Sequence, residues 1–400
     1  MSAVEPCQEN MPFLTNRVGH VSVQYEDQLV IAWGGYDRSK DEFSSYYDPE
    51  QIVVYNALAD RITLITTTGD IPPKTCGAAA VRHHDNMYVI GGFITSDMLV
   101  ENTNTIYRLN LTTKVWTLLT PKMKEASDSN LLKGDKLSAW VHQNQIYIFG
   151  GYGPGPRSDP DVLFPPYFSY VLDPEYLRGW SNQCLIYDVE QNTMRWADCV
   201  GDVPGPRAAH ASMCVNGTVW LFGGRFASNR LKEMYRGQIV GAENATIHWT
   251  QINPQQMPWP CGRSWHTLNS TGMDDTIVLY GGYDKKRKPL NDCWLFNTRQ
   301  NIWRQLYHQS KENRLWHTAH FVRALDSLIL VGGVRHDIMN DVADMHPGTL
   351  DRIQLSPLSL AQTALQVVLT NEALYYDWSS LPQNIKSQIE SWQALSKHGS

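Results

Sequence analysis

Six Gly-Gly pairs punctuate this chain, at Gly34-Gly35, Gly91-Gly92, Gly150-Gly151, Gly223-Gly224, Gly281-Gly282 and Gly332-Gly333. Each closes a short apolar run such as Leu29-Val30-Ile31-Ala32-Trp33 or Ile146-Tyr147-Ile148-Phe149. A β-prone run ending in two residues that accept positive φ and close backbone approach marks a strand entering a crowded turn. Recurrence at roughly fifty to seventy residues matches the repeat length of sheet blades set around an axis.

Two further landmarks keep step with the pairs. Upstream stand Arg17-Val18-Gly19-His20, Arg207-Ala208-Ala209-His210, Arg263-Ser264-Trp265-His266 and Arg314-Leu315-Trp316-His317. Lys136-Leu137-Ser138-Ala139-Trp140 reads as a looser copy, and Lys74-Thr75-Cys76-Gly77 takes that place in the second repeat. Downstream come Tyr107 with Trp116, Tyr187 with Trp196, Tyr235 with Trp249 and Phe296 with Trp303, while the first repeat has Ile62 after Tyr55. Each repeat therefore supplies four strands. The expected fold is all-β, a six-bladed β-propeller over residues 16–356, with a short C-terminal helical appendage.

Fourteen Trp and nineteen Tyr suit a large apolar interior between blades. A formal net charge of −6 gives no electrostatic footprint for nucleic acid, and no apolar stretch is long enough to span a membrane, so a soluble protein is expected. Seven scattered cysteines fit a reducing compartment, the nucleus and cytoplasm, better than a disulfide framework. Met1 to Glu9 shows no signal peptide. Lys285-Lys286-Arg287-Lys288 reads as a solvated turn, with nuclear import the minor alternative.

The sixth repeat has no room for a fourth strand before Ser356-Pro357. An open sheet edge invites aggregation, so Met11-Pro12-Phe13-Leu14-Thr15, within the N-terminal segment 1–15, is expected to close blade six as its outer strand. An insertion rich in Pro and aromatics runs from Gly153 to Arg178. Beyond Pro357, residues 357–396 read as helices, with Leu381, Ile385, Ile389, Trp392 and Leu395 on one stripe, and 397–400 as a flexible tail.

Antiparallel strands put the Arg-x-x-His turns and the Gly-Gly pairs at the same end of the ring. The residues after the pairs are Tyr36, Phe93, Tyr152, Arg225, Tyr283 and Val334. Arg225 is the exception among them. With Arg230 five residues on and Ser264, Trp265 and Trp316 on neighbouring blades, it reads as a small anion pocket walled by rings. The plainer alternative is an ion pair between Arg225 and Glu233. Catalysis has little support: the histidines recur with the repeat, and His83-His84 and the cysteines lack metal-ligand spacing. No cofactor and no metal are expected.

The Gly-Gly doublet with its spaced Tyr and Trp resembles the kelch repeat. From Thr15 to Leu395 the chain further resembles the kelch domain-containing protein 1/2 type of substrate receptor of cullin-2 ubiquitin ligases. The resemblance is carried by Trp33-Gly34-Gly35-Tyr36, Asp135-Lys136-Leu137-Ser138-Ala139-Trp140, Arg178-Gly179-Trp180-Ser181-Asn182, Phe222-Gly223-Gly224-Arg225, Gly262-Arg263-Ser264-Trp265-His266 and Arg314-Leu315-Trp316-His317. It implies a non-catalytic receptor for proteins ending in a C-terminal glycine. Arg225, Arg230 and Ser264 would hold the terminal carboxylate, inside walls made by Tyr36, Lys136, Tyr152, Trp180, Trp265 and Trp316.

The resemblance also extends to the tail. Ser359-Leu360-Ala361-Gln362-Thr363-Ala364 looks like an elongin-binding box, and Leu381-Pro382-Gln383-Asn384-Ile385 like a cullin-2 box. Elongins B and C and cullin-2 are the implied partners, through Leu360, Ala364, Leu381, Pro382 and Ile385. The chain's own Gly399-Ser400 end is a candidate for weak self-association in the same pocket. The alternative reading is a kelch scaffold that binds an internal protein motif without a ligase.

Overall fold

The second strands explain the architecture. Gln145–Phe149, Thr218–Phe222 and Ser327–Val331 are buried at almost every position, on both faces. A strand can be apolar on both faces only when its sheet is sandwiched between two others. In the computed structural model six blade sheets among the described residues succeed one another along the chain and pack face to face in this way, with two small sheets beside them. The structure describes residues 11–39, 45–95, 100–125, 130–156, 163–241, 245–254, 257–272, 275–307, 312–339 and 345–355. The helical appendage at 357–396, the tail, and with them Leu360, Ala364, Leu381, Pro382, Ile385, Gly399 and Ser400, lie outside the described residues.

Blade one holds the four antiparallel strands Val21–Tyr25, Leu29–Trp33, Gln51–Asn56 and Arg61–Thr66. Blades two, three and four carry a fifth that the repeat pattern did not reveal. Thr68–Gly69, Lys122–Met123 and Asp198–Gly201, each leaving the preceding blade, pair in parallel with the outer strand of the next. Pairing of this kind covers an outer edge that would otherwise be open. The repeating aromatics pack between blades: the outer-strand Trp116, Trp249 and Trp303 meet Trp33, Phe149 and Phe222 of the preceding blade at 5.3, 6.0 and 5.5 Å. The insertion packs there too, with Phe164 and Phe168 stacked on each other and both edge-on to Trp196.

The Arg-x-x-His turns are inter-blade fasteners. Arg17, Arg207, Arg263 and Arg314 each donate from Nη1 to the carbonyl of the first glycine of their own blade. Their own carbonyls accept the second-glycine N–H of the preceding blade: Gly151 to Arg207, Gly224 to Arg263, Gly282 to Arg314 and, closing the ring, Gly333 to Arg17. Thr75 and Gly134 accept from Gly35 and Gly92 in the same way. The turn frames in blades two and three are therefore Thr75-Cys76-Gly77-Ala78 and Gly134-Asp135-Lys136-Leu137. The sequence reading started one residue early in blade two and two residues late in blade three, because the recurring bond is a backbone one and no side chain marks it.

Ring closure also departs from expectation. Pro12–Thr15 is one turn of helix, and not the outer strand of blade six. Pro12 presets helical φ, and Thr15 Oγ1 donates back to Met11 O at 3.1 Å. The segment still fills the seam, with Leu14 fully buried among Val30 and Tyr55 of blade one and Val322, Ile329 and Val331 of blade six. Blade six itself shows three strands among the described residues. The seam is held from the inner strands, by His20 Nε2 3.0 Å from Thr318 Oγ1 and Ser22 Oγ 2.6 Å from His320 Nε2.

Four of the recurring histidines, with His320 beside them, give the fold an acid limit. Burial lowers His20 and His266 to about 3 and His320 to about 4, and holds His210 and His317 well below the ordinary value. In the unfolded chain each regains a pKa near 6.5 and binds a proton that the native state refuses. Their contribution is whole above that value and is lost as pH falls toward the folded values, at about 1.4 kcal/mol per pH unit for each histidine. Urea midpoints measured from pH 7.5 to 4.5 are expected to fall steeply below about pH 6.5. A flat profile over that window contradicts the assignment.

Candidate recognition site at the propeller mouth

The pairing of turn and strand end builds the site. The second turn residue of each blade bridges the residue after its Gly-Gly pair: Val18 with Tyr36, Cys76 with Phe93, Asp135 with Tyr152, Ala208 with Arg225, Ser264 with Tyr283 and Leu315 with Val334. Both sets therefore occupy one end of the ring, as strand direction requires. The third turn residues form a belt inside them. Gly19, Gly77, Lys136, Ala209, Trp265 and Trp316 all have positive φ, between 53° and 66°. Around the belt each N–H from Gly77 to Trp316 donates to the third turn residue of the preceding blade, over 2.6 to 2.9 Å.

Blade four raises a two-stranded hairpin in which Arg225 pairs with Arg230 and Phe226 with Asn229. This register places two guanidinium-bearing side chains opposite each other, an arrangement that like charge disfavours. Rings on either side receive them. The Arg225 guanidinium stands 5.7 Å from the Trp180 ring, and that of Arg230 stands 5.3 Å from Tyr283 and 5.8 Å from Trp265. Among the described residues neither arginine makes an ion pair. Glu233 accepts instead from the Lys232 N–H, so the pairing with Arg225 does not form. Arg225 Nε donates to Ala227 O at 2.9 Å. Burial, and then the neighbouring Arg225, lower Arg230 to about 10, which leaves it charged at neutral pH.

Three buried donors at this spot lack a partner among the described residues: Arg230 Nε, Ser264 Oγ and Trp265 Nε1. Ser264 is 0% exposed. Buried polar atoms without partners cost about 1–3 kcal/mol each, and a bound acceptor beside the two arginines would relieve that cost.

The other expected wall residues join the same circuit. Tyr152 meets Trp180 at 5.0 Å, Trp265 stacks on Trp316 at 5.3 Å, Tyr36 meets Trp316 edge-on at 6.2 Å, and Lys136 Nζ lies 5.3 Å from the Trp316 ring. Lys136 is tied to Asp135 at 2.6 Å, and Asp135 to Arg178 at 3.6 Å. All nine residues named from the sequence are thus linked through contacts around one mouth. Sequence reasoning missed four more. Tyr283 supports Arg230, and its position after the fifth Gly-Gly pair was a usable signal. Phe226 packs on Trp180 at 5.8 Å, Arg178 lies over Tyr152 at 4.7 Å, and Tyr46 packs on Tyr36 at 5.5 Å. Nothing in the sequence singled out Tyr46. Among the described residues no group of three His, Cys, Asp or Glu side chains is placed to hold a metal.

Comparison with known proteins agrees with this architecture. Residues 19–235 and 172–356 match the KLHDC2/KLHL20/DRC7 Kelch-repeats domain. Kelch domain-containing protein 2 of Bos taurus is 30% identical over 383 residues, covering 93% of this chain and 89% of that protein. Kelch domain-containing protein 1 of Homo sapiens is 28% identical over 379 residues, with the same coverage of both chains. Kelch domain-containing protein 3 of Rattus norvegicus is 27% identical over 269 residues, 66% of this chain and 61% of that one. Six blades, their glycine turns and these matches together mean that the chain belongs to the KLHDC2/KLHL20/DRC7 kelch-repeat family, as a protein of the kelch domain-containing protein 1/2 type.

Proposed function

We propose that this protein is the substrate-recognition subunit of a cullin-2/elongin ubiquitin ligase and binds proteins that end in a glycine through their free C-terminal carboxylate. The observation that carries the reading is the pair Arg225 and Arg230 on one hairpin, unpaired, beside the orphaned Ser264 Oγ and Trp265 Nε1. Two guanidinium groups and two neutral donors match the lone pairs of one carboxylate, and the burial of Ser264 and partial desolvation of Arg230 strengthen their charge-assisted bonds. Indole and phenol walls leave little width at the end of the peptide, which favours a residue without a side chain. The protein has no chemistry of its own in this reading. Elongins B and C and cullin-2 bind the 357–396 segment, in the cytoplasm and nucleus.

A peptide ending in Gly-Gly is expected to bind at least about a hundredfold more tightly than its C-terminal amide, since amidation removes the charge that two charge-assisted bonds require. Fluorescence polarisation with the full-length protein measures the ratio. Equal binding of the two peptides contradicts the carboxylate reading and favours a scaffold for internal motifs.

A further inference from the structure

The basic run Lys285-Lys286-Arg287-Lys288 has no part in the site described so far. It forms the tip of the blade-five hairpin, between the strands Thr276–Asp284 and Pro289–Asn297. The tip is a closed turn. Asp284 N–H donates to Lys288 O at 3.1 Å, Arg287 N–H to Asp284 O at 3.2 Å and Lys288 N–H to Asp284 Oδ1 at 2.8 Å, with Arg287 at φ 63°. A turn fastened at both ends presents its charges in fixed places and does not offer them as a linear basic peptide.

The four cations are used unequally. Arg287 Nη2 pairs with Asp337 Oδ2 of blade six at 2.7 Å, and Tyr283 OH donates to the other oxygen of the same carboxylate. Asp337 thus braces the turn against blade six. Lys285, Lys286 and Lys288 are exposed and make no ion pair among the described residues. Position ties them to the mouth. The strand Thr276–Asp284 runs toward the mouth end, where its Gly281-Gly282 pair lies, and its Tyr283 ring receives the Arg230 guanidinium at 5.3 Å. Lys285 follows two residues later, about 6–7 Å further along at the rise of a strand. An extended peptide whose last residue is held at Arg230 climbs by the same rise, so the stretch about four to six residues from its end passes within reach of the lysines.

We infer that this turn is a basic arm beside the mouth that selects clients carrying acidic residues about four to six positions before the C-terminus. The inference rests on the carboxylate reading above and adds to it a preference in the upstream sequence. The arginines hold the end of the chain, and the arm reads charge further up. Contacts between exposed charges are individually weak and screened by salt, so the arm biases the choice among clients and the association rate without supplying the anchor. The formal net charge of −6 opposes it at long range. The chain as a whole favours a cationic peptide, so a preference for glutamate reports the arm itself.

The test uses full-length protein and labelled ten-residue peptides ending in Gly-Gly, with three Glu, three Gln or three Lys at the fourth to sixth positions from the end, and the C-terminal amide of the Gln peptide. At about 50 mM salt, wild type is expected to bind the Glu peptide at least about tenfold more tightly than the Lys peptide, and at about 500 mM salt the ratio is expected to fall within about twofold. Moving the three Glu residues to the far end of the peptide is expected to remove most of the gain. The variant Lys285→Glu/Lys286→Glu/Lys288→Glu keeps Arg287 and the backbone bonds of the turn. It is expected to reverse the order of the Glu and Lys peptides while the Gln peptide still exceeds its amide. Equal binding of the Glu and Lys peptides to wild type at low salt overturns the inference, as does a Glu preference that survives in the triple variant. In both cases a Gln peptide that exceeds its amide leaves the carboxylate reading standing. A Gln peptide that binds no better than its amide fails the carboxylate reading first, and the arm with it.

Discussion

Replacing Arg225 and Arg230 together by alanine is expected to lower affinity for a Gly-Gly-ended peptide by about 10² to 10⁴, taking each hydrogen bond to a charged group as 1.5–3 kcal/mol. Arg230→Ala alone should cost more than Arg225→Ala. Arg230 is the more desolvated of the two and its Nε has no partner among the described residues, whereas Arg225 already donates to Ala227 O. The empty protein should lose no stability, because the substitutions remove two like charges that face each other across one hairpin. The diagnostic result is therefore a split, with binding lost while the melting temperature holds or rises. A parallel loss of both would make the arginines structural, and unchanged binding would move recognition elsewhere.

Arg263→Ala should show the opposite pattern, with the fold damaged first. The Arg263 side chain is fully buried and makes a two-pronged pair with Asp292, at 2.6 and 2.8 Å, while also donating to Gly281 O and Cys261 O. Breaking a buried pair from one side leaves the other charge stranded, at a cost of about 3–5 kcal/mol. Asp292 keeps only its bond from Trp294 Nε1 among the contacts described. The double variant Arg263→Ala/Asp292→Ala should then lose less than the sum of the two single losses, since the second change removes the stranded carboxylate. Urea unfolding of the four proteins gives the coupling directly. Additive losses would mean that the two side chains act independently.

These two arginines also show what could be read without coordinates. Arg263 recurs in a motif in step with the Gly-Gly pairs, so a structural role was legible from period alone. Arg225 breaks the period among Tyr36, Phe93, Tyr152, Tyr283 and Val334, and a departure from a structural repeat is a sign of function. Lys136 and Trp180 were named through the family resemblance and are in contact with the same circuit. Tyr46 and Phe226 were not legible, since each acts only through a ring brought to it by another blade or hairpin. Met11 to Thr15 misled for a different reason. The missing partner at blade six suggested a strand, but the seam needed apolar volume, which Leu14 supplies from a helical turn.

The sequence by itself determined the number of blades and the end of the ring at which the site lies. Both follow from local preferences, glycine's tolerance of positive φ after an apolar run and the reversal of direction at each strand. Only the tertiary structure decided the turn frames of blades two and three, the means of ring closure and the packing of Trp316 against Gly19. The frames depend on backbone carbonyls that any residue can offer, so no side chain announces them. The close approach of Trp316 to Gly19 joins positions hundreds of residues apart in the chain, adjacent only once the ring has closed.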